Sequence, residues 1–217
     1  MREHNITVSR SARYFTLGDT ESLREVWFVC HGYGQLAEHF LKKFEAIAES
    51  HRLIIAPEGL SRFYWQGFSG RVAASWMTRE DRLHEIEDYV NYLDAVYQQT
   101  FANLNRESVK VNALGFSQGT ATVSRWVCRG ENQVDRLILW GGLLPPDLAL
   151  ESASNLVQKL SLVFVVGKND EFADSKNLVE QQTRLRELDV QQKVISYDGG
   201  HEIDADTLNQ LANNLSF

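Results

Sequence analysis

The chain has 217 residues, 43% hydrophobic and 24% charged, the composition of a soluble globular protein long enough to bury a substantial core. Its formal charge is −7 at pH 7 and its pI near 5.4, which argues against nucleic acid or an anionic membrane surface as the main partner. No apolar run reaches the roughly 18 residues of a membrane span, and Met1-Arg2-Glu3-His4-Asn5 leads into no apolar signal-peptide core, so a cytoplasmic location is expected.

In chain order, Ile6-Thr7-Val8 and Tyr14-Phe15-Thr16-Leu17 predict a hairpin at a sheet edge. Val26-Trp27-Phe28-Val29-Cys30 is the first continuous apolar strand, and Phe40, Phe44, Ile47 and Ala48 mark a helix after it. Leu53-Ile54-Ile55-Ala56 is the next strand. From there to about Leu83 runs a long irregular stretch rich in aromatics, followed by a helix whose stripe is Leu83, Ile86, Val90, Leu93, Tyr97 and Phe101. Val109 to Leu114 is a strand, Thr120 to Arg129 a helix, and Leu137-Ile138-Leu139-Trp140 another strand. Pro145-Pro146 reads as a loop rather than a boundary. Leu162 to Val166 and Val194 to Tyr197 complete the strands, with helices marked by Leu178, Leu185 and Leu188 and by Leu208, Leu211 and Leu215. Nearly continuous apolar strands alternating with amphipathic helices predict one α/β domain over residues 1–217, built on a mostly parallel sheet flanked by helices on both faces. Cys30 and Cys128, each among apolar neighbours, read as buried thiols rather than a disulfide, a metal site or a nucleophile.

Open parallel sheets bind ligands beyond the carboxyl ends of their strands. Four polar, glycine-rich segments follow such ends: His31-Gly32-Tyr33-Gly34-Gln35, Gly115-Phe116-Ser117-Gln118-Gly119, Gly167-Lys168-Asn169-Asp170 and Asp198-Gly199-Gly200-His201. The second has the form G-x-S-x-G, preceded by a strand and followed by a helix. A serine hydroxyl becomes a useful nucleophile only when held exposed beside a base, and a sharp glycine-flanked turn gives that exposure. Downstream of Ser117 the sequence contains a single histidine, His201, the candidate base. The competing reading is a surface histidine capping the helix that begins near Ile203. Asp170 is the favoured acid, while Glu171, Asp174, Asp198 and Asp204 are close enough in sequence to compete. Donors for a developing oxyanion are expected from the N–H groups of Gln118 and Tyr33. His31 precedes the serine and reads as a brace for its loop rather than a base.

These segments resemble the phospholipase/carboxylesterase family of α/β hydrolases, which includes bacterial carboxylesterases and acyl-protein thioesterases. The likeness rests on His31-Gly32-Tyr33-Gly34, Gly115-Phe116-Ser117-Gln118-Gly119, Gly167-Lys168-Asn169-Asp170 and Gly199-Gly200-His201-Glu202-Ile203, with matching order and spacing. It implies an α/β-hydrolase fold without a separate lid domain, with Ser117 as nucleophile, Asp170 as acid, His201 as base, and Tyr33 and Gln118 as oxyanion donors. It also implies no metal and no cofactor. Ala74-Ser75-Trp76 resembles the family's serine–tryptophan pair at the pocket rim. Two places depart from the pattern: Thr120, where glycine or alanine is frequent, and Glu58-Gly59-Leu60-Ser61-Arg62-Phe63-Tyr64-Trp65, where the thioesterases carry a proline- and apolar-rich segment.

The long connection holds Phe63, Tyr64, Trp65, Phe68, Trp76 and Met77. Loops beyond about 12–15 residues are usually functional or disordered, and so many aromatics argue against disorder. Phe63, Tyr64, Trp65, Phe68 and Trp76 are therefore candidates for an apolar substrate pocket; the alternative is that they only pack the loop onto the domain. Arg62, Arg71 and Arg79 read as a solvated rim. The expected function is hydrolysis of short- to medium-chain carboxylic esters through an acyl-serine, with thioesterase or lysophospholipase action as the alternative. A non-catalytic binding protein on the same scaffold is the alternative of another class. The expected partner is a small-molecule ester or thioester, with no nucleic acid and no membrane span, and a homodimer is left open.

Overall fold

The computed structural model describes residues 1–18, 22–148, 158–172 and 175–213, so Asp174 and Leu215 lie outside it. In chain order the elements are β1 (Tyr14–Leu17), β2 (Glu25–Cys30), α1 (Ala37–Leu41), β3 (Arg52–Pro57), β4 (Ser61–Tyr64), β5 (Val72–Ser75), α2 (Arg82–Phe101), β6 (Lys110–Phe116), α3 (Gln118–Arg129), β7 (Arg136–Trp140), β8 (Ser161–Gly167), α4 (Ser175–Glu187), β9 (Gln192–Tyr197) and α5 (Ala205–Asn213). Seven strands form one sheet in the order β1-β3-β2-β6-β7-β8-β9. From β3 to β9 every pairing is parallel, and β1 joins the edge of β3 antiparallel. Among the described residues no helix is long and apolar enough to cross a membrane.

The apolar runs alternate between two cores. Along β2, Val26, Phe28 and Cys30 enter one, with Leu93, Val123 and Leu185 from α2, α3 and α4. Trp27 and Val29 enter the other, with Phe40 from α1 and Leu208 from α5. Burying a Val- to Phe-sized side chain contributes about 1.5–3 kcal/mol, so two-sided burial explains why these strands lack polar alternation. On α2 the buried stripe is Ile86, Tyr89, Val90, Leu93, Val96 and Tyr97. Leu83, read as part of that stripe, is exposed in the first turn.

Three further expectations change. Ile6-Thr7-Val8 forms no strand, and β1 is left as the edge of the sheet. The segment instead runs beside α2, where Asn5 Nδ2 lies 2.9 Å from His84 Nδ1 and the Arg10 guanidinium donates to Leu60 O. The irregular aromatic stretch contains a two-stranded antiparallel hairpin, β4 with β5. Strand β9 lies at the sheet edge and leaves Val194 exposed. Of the two thiols, both free, Cys30 is buried and Cys128 only partly so.

At the amino end of the sheet a charged group is enclosed. Glu25 on β2 accepts from Arg52 Nε on β3 at 2.8 Å and from Trp27 Nε1 at 3.0 Å. Arg52 and Arg136 donate to Ala212 O and Leu211 O, near the carboxyl end of α5, where cations complement the helix dipole. The polar chemistry at the opposite end is of a different kind.

Candidate active site

Strand β6 ends at Phe116 and α3 begins at Gln118, so one residue makes the turn between them. That residue, Ser117, has φ 54° and ψ −116°, a left-handed conformation that costs a non-glycine residue about 1–3 kcal/mol. The flanking glycines allow the turn to close. A Cβ on Gly115 would stand 2.2 Å from Gly119 O, and one on Gly119 would stand 2.2 Å from Cys30 O, so only hydrogen fits at either position. The turn is tied to its neighbours by Ser117 N–H donating to Trp140 O at 2.9 Å and by the Thr120 hydroxyl donating to Ser117 O at 2.7 Å. Thr120, a departure from the family pattern, thus holds the backbone of the serine itself. Its hydroxyl also lies 3.3 Å from Leu143 O in the loop after β7.

His201 and Asp170 arrive from separate strand ends and meet: His201 Nδ1 donates to Asp170 Oδ2 at 2.8 Å. With Nδ1 carrying the proton, Nε2 keeps a free lone pair. The other carboxylate oxygen, Asp170 Oδ1, accepts from Phe172 N–H at 2.9 Å. Rings of Phe116 and Phe172 lie 4.8 and 4.7 Å from the imidazole, so the residue preceding Ser117 is packed against His201. The histidine loop is fixed by its backbone: Lys168 N–H donates to Tyr197 O and Asn169 N–H to Gly199 O, both at 2.9 Å. The Tyr197 hydroxyl donates toward Gly200 O and Glu202 O at 2.7 Å, and Trp140 Nε1 donates to Glu202 O at 2.8 Å. Of the other acids, Glu171 and Asp198 are exposed. Asp204 caps α5, accepting from Thr207 N–H at 3.0 Å and from its hydroxyl at 2.6 Å.

The loop after β2 reaches the same place, since a Cβ on Gly32 would lie 3.3 Å from Ser117 Cβ. Gly32 N–H donates to Gln35 Oε1 and Gly34 N–H to Ala74 O, each at 2.9 Å. Between these two committed donors sits the N–H of Tyr33. Gln118 N–H, in the first turn of α3, is one of the donors a helix cannot satisfy internally. His31 braces this loop: Nδ1 donates to Gly32 O at 2.8 Å, and Nε2 accepts from Gly59 N–H at 2.9 Å. Burial holds it neutral, lowering its pKa to about 4.

The five aromatics proposed for a pocket separate in space. Phe63 and Trp65 pack with Tyr33, at 5.5 and 5.9 Å between ring centres. Tyr64 alternates to the other side of β4 and is exposed, and Phe68, at the hairpin tip, is 97% exposed. Trp76 is 1% exposed; its indole N–H donates to His31 O at 2.8 Å and its ring lies 5.0 Å from that of His31. Of the three arginines, Arg62 pairs with buried Glu58 at 3.1 Å, and Arg71 lies 5.4 Å over the Trp65 ring.

Sequence reasoning missed two arrangements. The Gln118 side chain clasps the end of the hairpin: Nε2 donates to Met77 O at 2.9 Å and to Ser75 Oγ at 3.1 Å, while Oε1 accepts from Trp76 N–H at 3.2 Å. The glutamine after the serine was the available signal. Beside Asp170 there is also a cavity of about 510 Å³, lined chiefly by Gly141, Leu143, Val166, Phe172 and Leu178, within the size range of ligand sites. Nothing in the sequence places those residues together.

Among curated proteins none matches the chain. In structure it is similar to an acyl-protein thioesterase 2 from Zea mays at 16% identity, with a TM-score of 0.70 over 94% of this chain and 98% of that one. A carboxylesterase from Bacillus cereus is similar at 15% identity, TM-score 0.67, over 93% and 92%. YahD, solved with malic acid, gives 17% identity and a TM-score of 0.69 over 94% and 98%. At such identities the likeness shows a shared fold. The family model described as phospholipase/carboxylesterase matches residues 19–217. A match running through every strand from β2 to β9 makes the chain a member of the phospholipase/carboxylesterase family, the esterase and thioesterase type of α/β hydrolase.

Proposed function

We propose that the protein is a serine carboxylesterase acting on short- to medium-chain esters. The observation that carries this reading is the His201–Asp170 hydrogen bond of 2.8 Å, packed through Phe116 against the strained turn at Ser117. Ser117 Oγ attacks the acyl carbonyl and passes its proton to His201 Nε2, while the Asp170 carboxylate stabilises the imidazolium. The new oxyanion accepts from the N–H groups of Tyr33 and Gln118, an interaction worth about 2.7–4 kcal/mol per donor. Collapse breaks the ester C–O bond, and His201 returns the proton to the leaving alcohol. Water then gives a proton to His201 Nε2 as its oxygen attacks the acyl-serine; the acid leaves and Ser117 regains the proton. The apolar cavity beside Asp170 and the Tyr33–Phe63–Trp65 cluster are the two places that favour an apolar acyl or alcohol group. Thioesters fit the same steps, and the acyl-protein thioesterase neighbour supports them as a second reading.

The test is a panel of p-nitrophenyl esters and matched thioesters, together with fluorophosphonate labelling. Wild type is expected to label and to turn over the C2–C8 esters. Ser117→Ala should lose the label and on the order of 10⁴-fold or more of the rate. Equal labelling of the two proteins would overturn the reading, and a higher kcat/KM for thioesters would replace it with the second.

A further inference from the structure

Next to the proposed oxyanion loop lies a second cavity, of about 390 Å³, whose wall includes Gly34 and Gln35. Its apolar floor comes from Leu36, Phe40 and Val72. Among the described residues every ionisable side chain lining it is basic: His39 and Lys43 from α1 and the turn after it, and Arg71 from the residue before β5. Among the described residues no carboxylate lines it, although the protein as a whole carries a formal charge of −7. Glu38, the acid of α1, acts electrostatically on Arg13. Other arginines of this protein are ion-paired: Arg13 and Arg62 share Glu58, and Arg82, Arg125 and Arg129 share Asp147.

The position of Arg71 is set rather than floppy. Its guanidinium donates to Gly34 O at 3.3 Å and lies 5.4 Å over the Trp65 ring, and its own carbonyl accepts from Trp65 N–H at 2.9 Å. Gly34 follows Tyr33 directly, so the cavity wall begins one residue, about 3.8 Å along the chain, from a proposed oxyanion donor. The same loop approaches the serine, since a Cβ on Gly32 would lie 3.3 Å from Ser117 Cβ. Arginine and lysine at the edge of a low-dielectric pocket favour a compact anion.

We propose that the His39–Lys43–Arg71 cavity binds an anionic group of the substrate, so that the preferred esters carry a carboxylate or a phosphate on a short spacer from the scissile carbonyl. This deepens the ester-hydrolase reading and rests on it. The acidic remainder of the surface repels such substrates, which makes this cationic cavity a point of selection as well as of binding.

The experiment compares three p-nitrophenyl acyl esters of matched length: one ending in a free carboxylate, one in a phosphate and one in a neutral methyl ester. The ratio of kcat/KM, anionic over neutral, is expected to exceed one for the carboxylate or the phosphate, which also identifies the favoured anion. It should fall at least fivefold in Lys43→Gln and in Arg71→Gln, fall with rising salt, and be kept in Lys43→Arg. In parallel, glutarate and glycerol phosphate are titrated into Ser117→Ala and their binding is followed by calorimetry. Saturable binding lost in the Lys43→Gln, Arg71→Gln double variant supports the proposal whether or not any ester is cleaved. An anionic-to-neutral ratio indifferent to these substitutions, or no saturable binding of either anion, overturns it. Failure of the hydrolase reading looks different: no ester of any charge is cleaved and Ser117 takes no fluorophosphonate label.

Discussion

His31 is held uncharged because both of its nitrogens are committed inside the protein, one donating to Gly32 O and one accepting from Gly59 N–H. A second proton on Nε2 would face a donor and would carry charge into an apolar interior. Its folded pKa, about 4, lies below the 6.5 of an exposed imidazole, so between those values the unfolded chain binds more protons than the folded one. Stability from this residue is therefore complete above pH 6.5 and drains away as pH falls toward 4, by about 3 kcal/mol in all. Asp147 and Asp204, whose pKa values are lowered by hydrogen bonds from Arg125 and Thr207 respectively, lose their contributions only below the ordinary carboxylate value of 3.8. Urea titrations at pH 7 and pH 4.5 are expected to show a large loss in wild type and a much smaller loss in His31→Gln. Equal pH-induced losses in the two proteins would remove His31 as the source.

Among elements, the β4–β5 hairpin and the start of α3 are joined by the Gln118 side chain, and the chain of bonds continues. Trp76, whose N–H meets Gln118 Oε1, donates from its indole to His31 O, one residue from Gly32. The two proposed oxyanion donors, on different elements, are thus spaced through one strut of side chains. Gln118→Ala keeps its backbone N–H, and Trp76→Phe keeps most of its ring, yet each breaks the strut. Each is expected to lower kcat about 10- to 100-fold with KM within twofold, as small displacements of catalytic groups do. Because the links act in series, the double variant should lose little more than either single one. Additive losses, or effects confined to KM, would count against the strut. The hairpin itself was hidden from the sequence for a physical reason: Ala73-Ala74-Ser75 has little of the β-branched or aromatic character that marks strands. Five of the six apolar strands were readable because burial on both faces writes itself as unbroken hydrophobicity; β9, at the edge, was read from Val194 to Tyr197 although it is largely open to solvent. Ile6-Thr7-Val8 has the right residues for a strand but lies along α2 instead of pairing with β1. Asp170 could be favoured by its place after β8, but its pairing with His201 depends on two strand ends meeting, which spacing alone does not encode.

At the scale of the whole molecule, the two ends of the sheet carry different burdens. The amino end encloses the Glu25–Arg52 pair among Trp27, Arg136 and the last turn of α5. Removing one partner of a buried ion pair typically costs about 3–5 kcal/mol, because the other charge is left without compensation. Glu25→Gln is expected to lower the unfolding free energy from urea titration by that amount, and the midpoint with it, while fluorophosphonate labelling of the folded protein keeps its wild-type rate. A labelling rate that falls with the midpoint would mean that the two ends are coupled. At the carboxyl end, the serine turn is set by main-chain atoms and one buried hydroxyl: glycine hydrogens against the carbonyls of Cys30 and Gly119, an N–H on Trp140 O, and the Thr120 hydroxyl on Ser117 O. No substrate-facing side chain takes part in that closure. An inherited change in the β4–β5 hairpin or in either cavity can therefore redirect which molecule the proposed nucleophile meets without altering the turn that holds it. The architecture leaves substrate preference open to drift, or to laboratory selection, while the two glycines stay fixed.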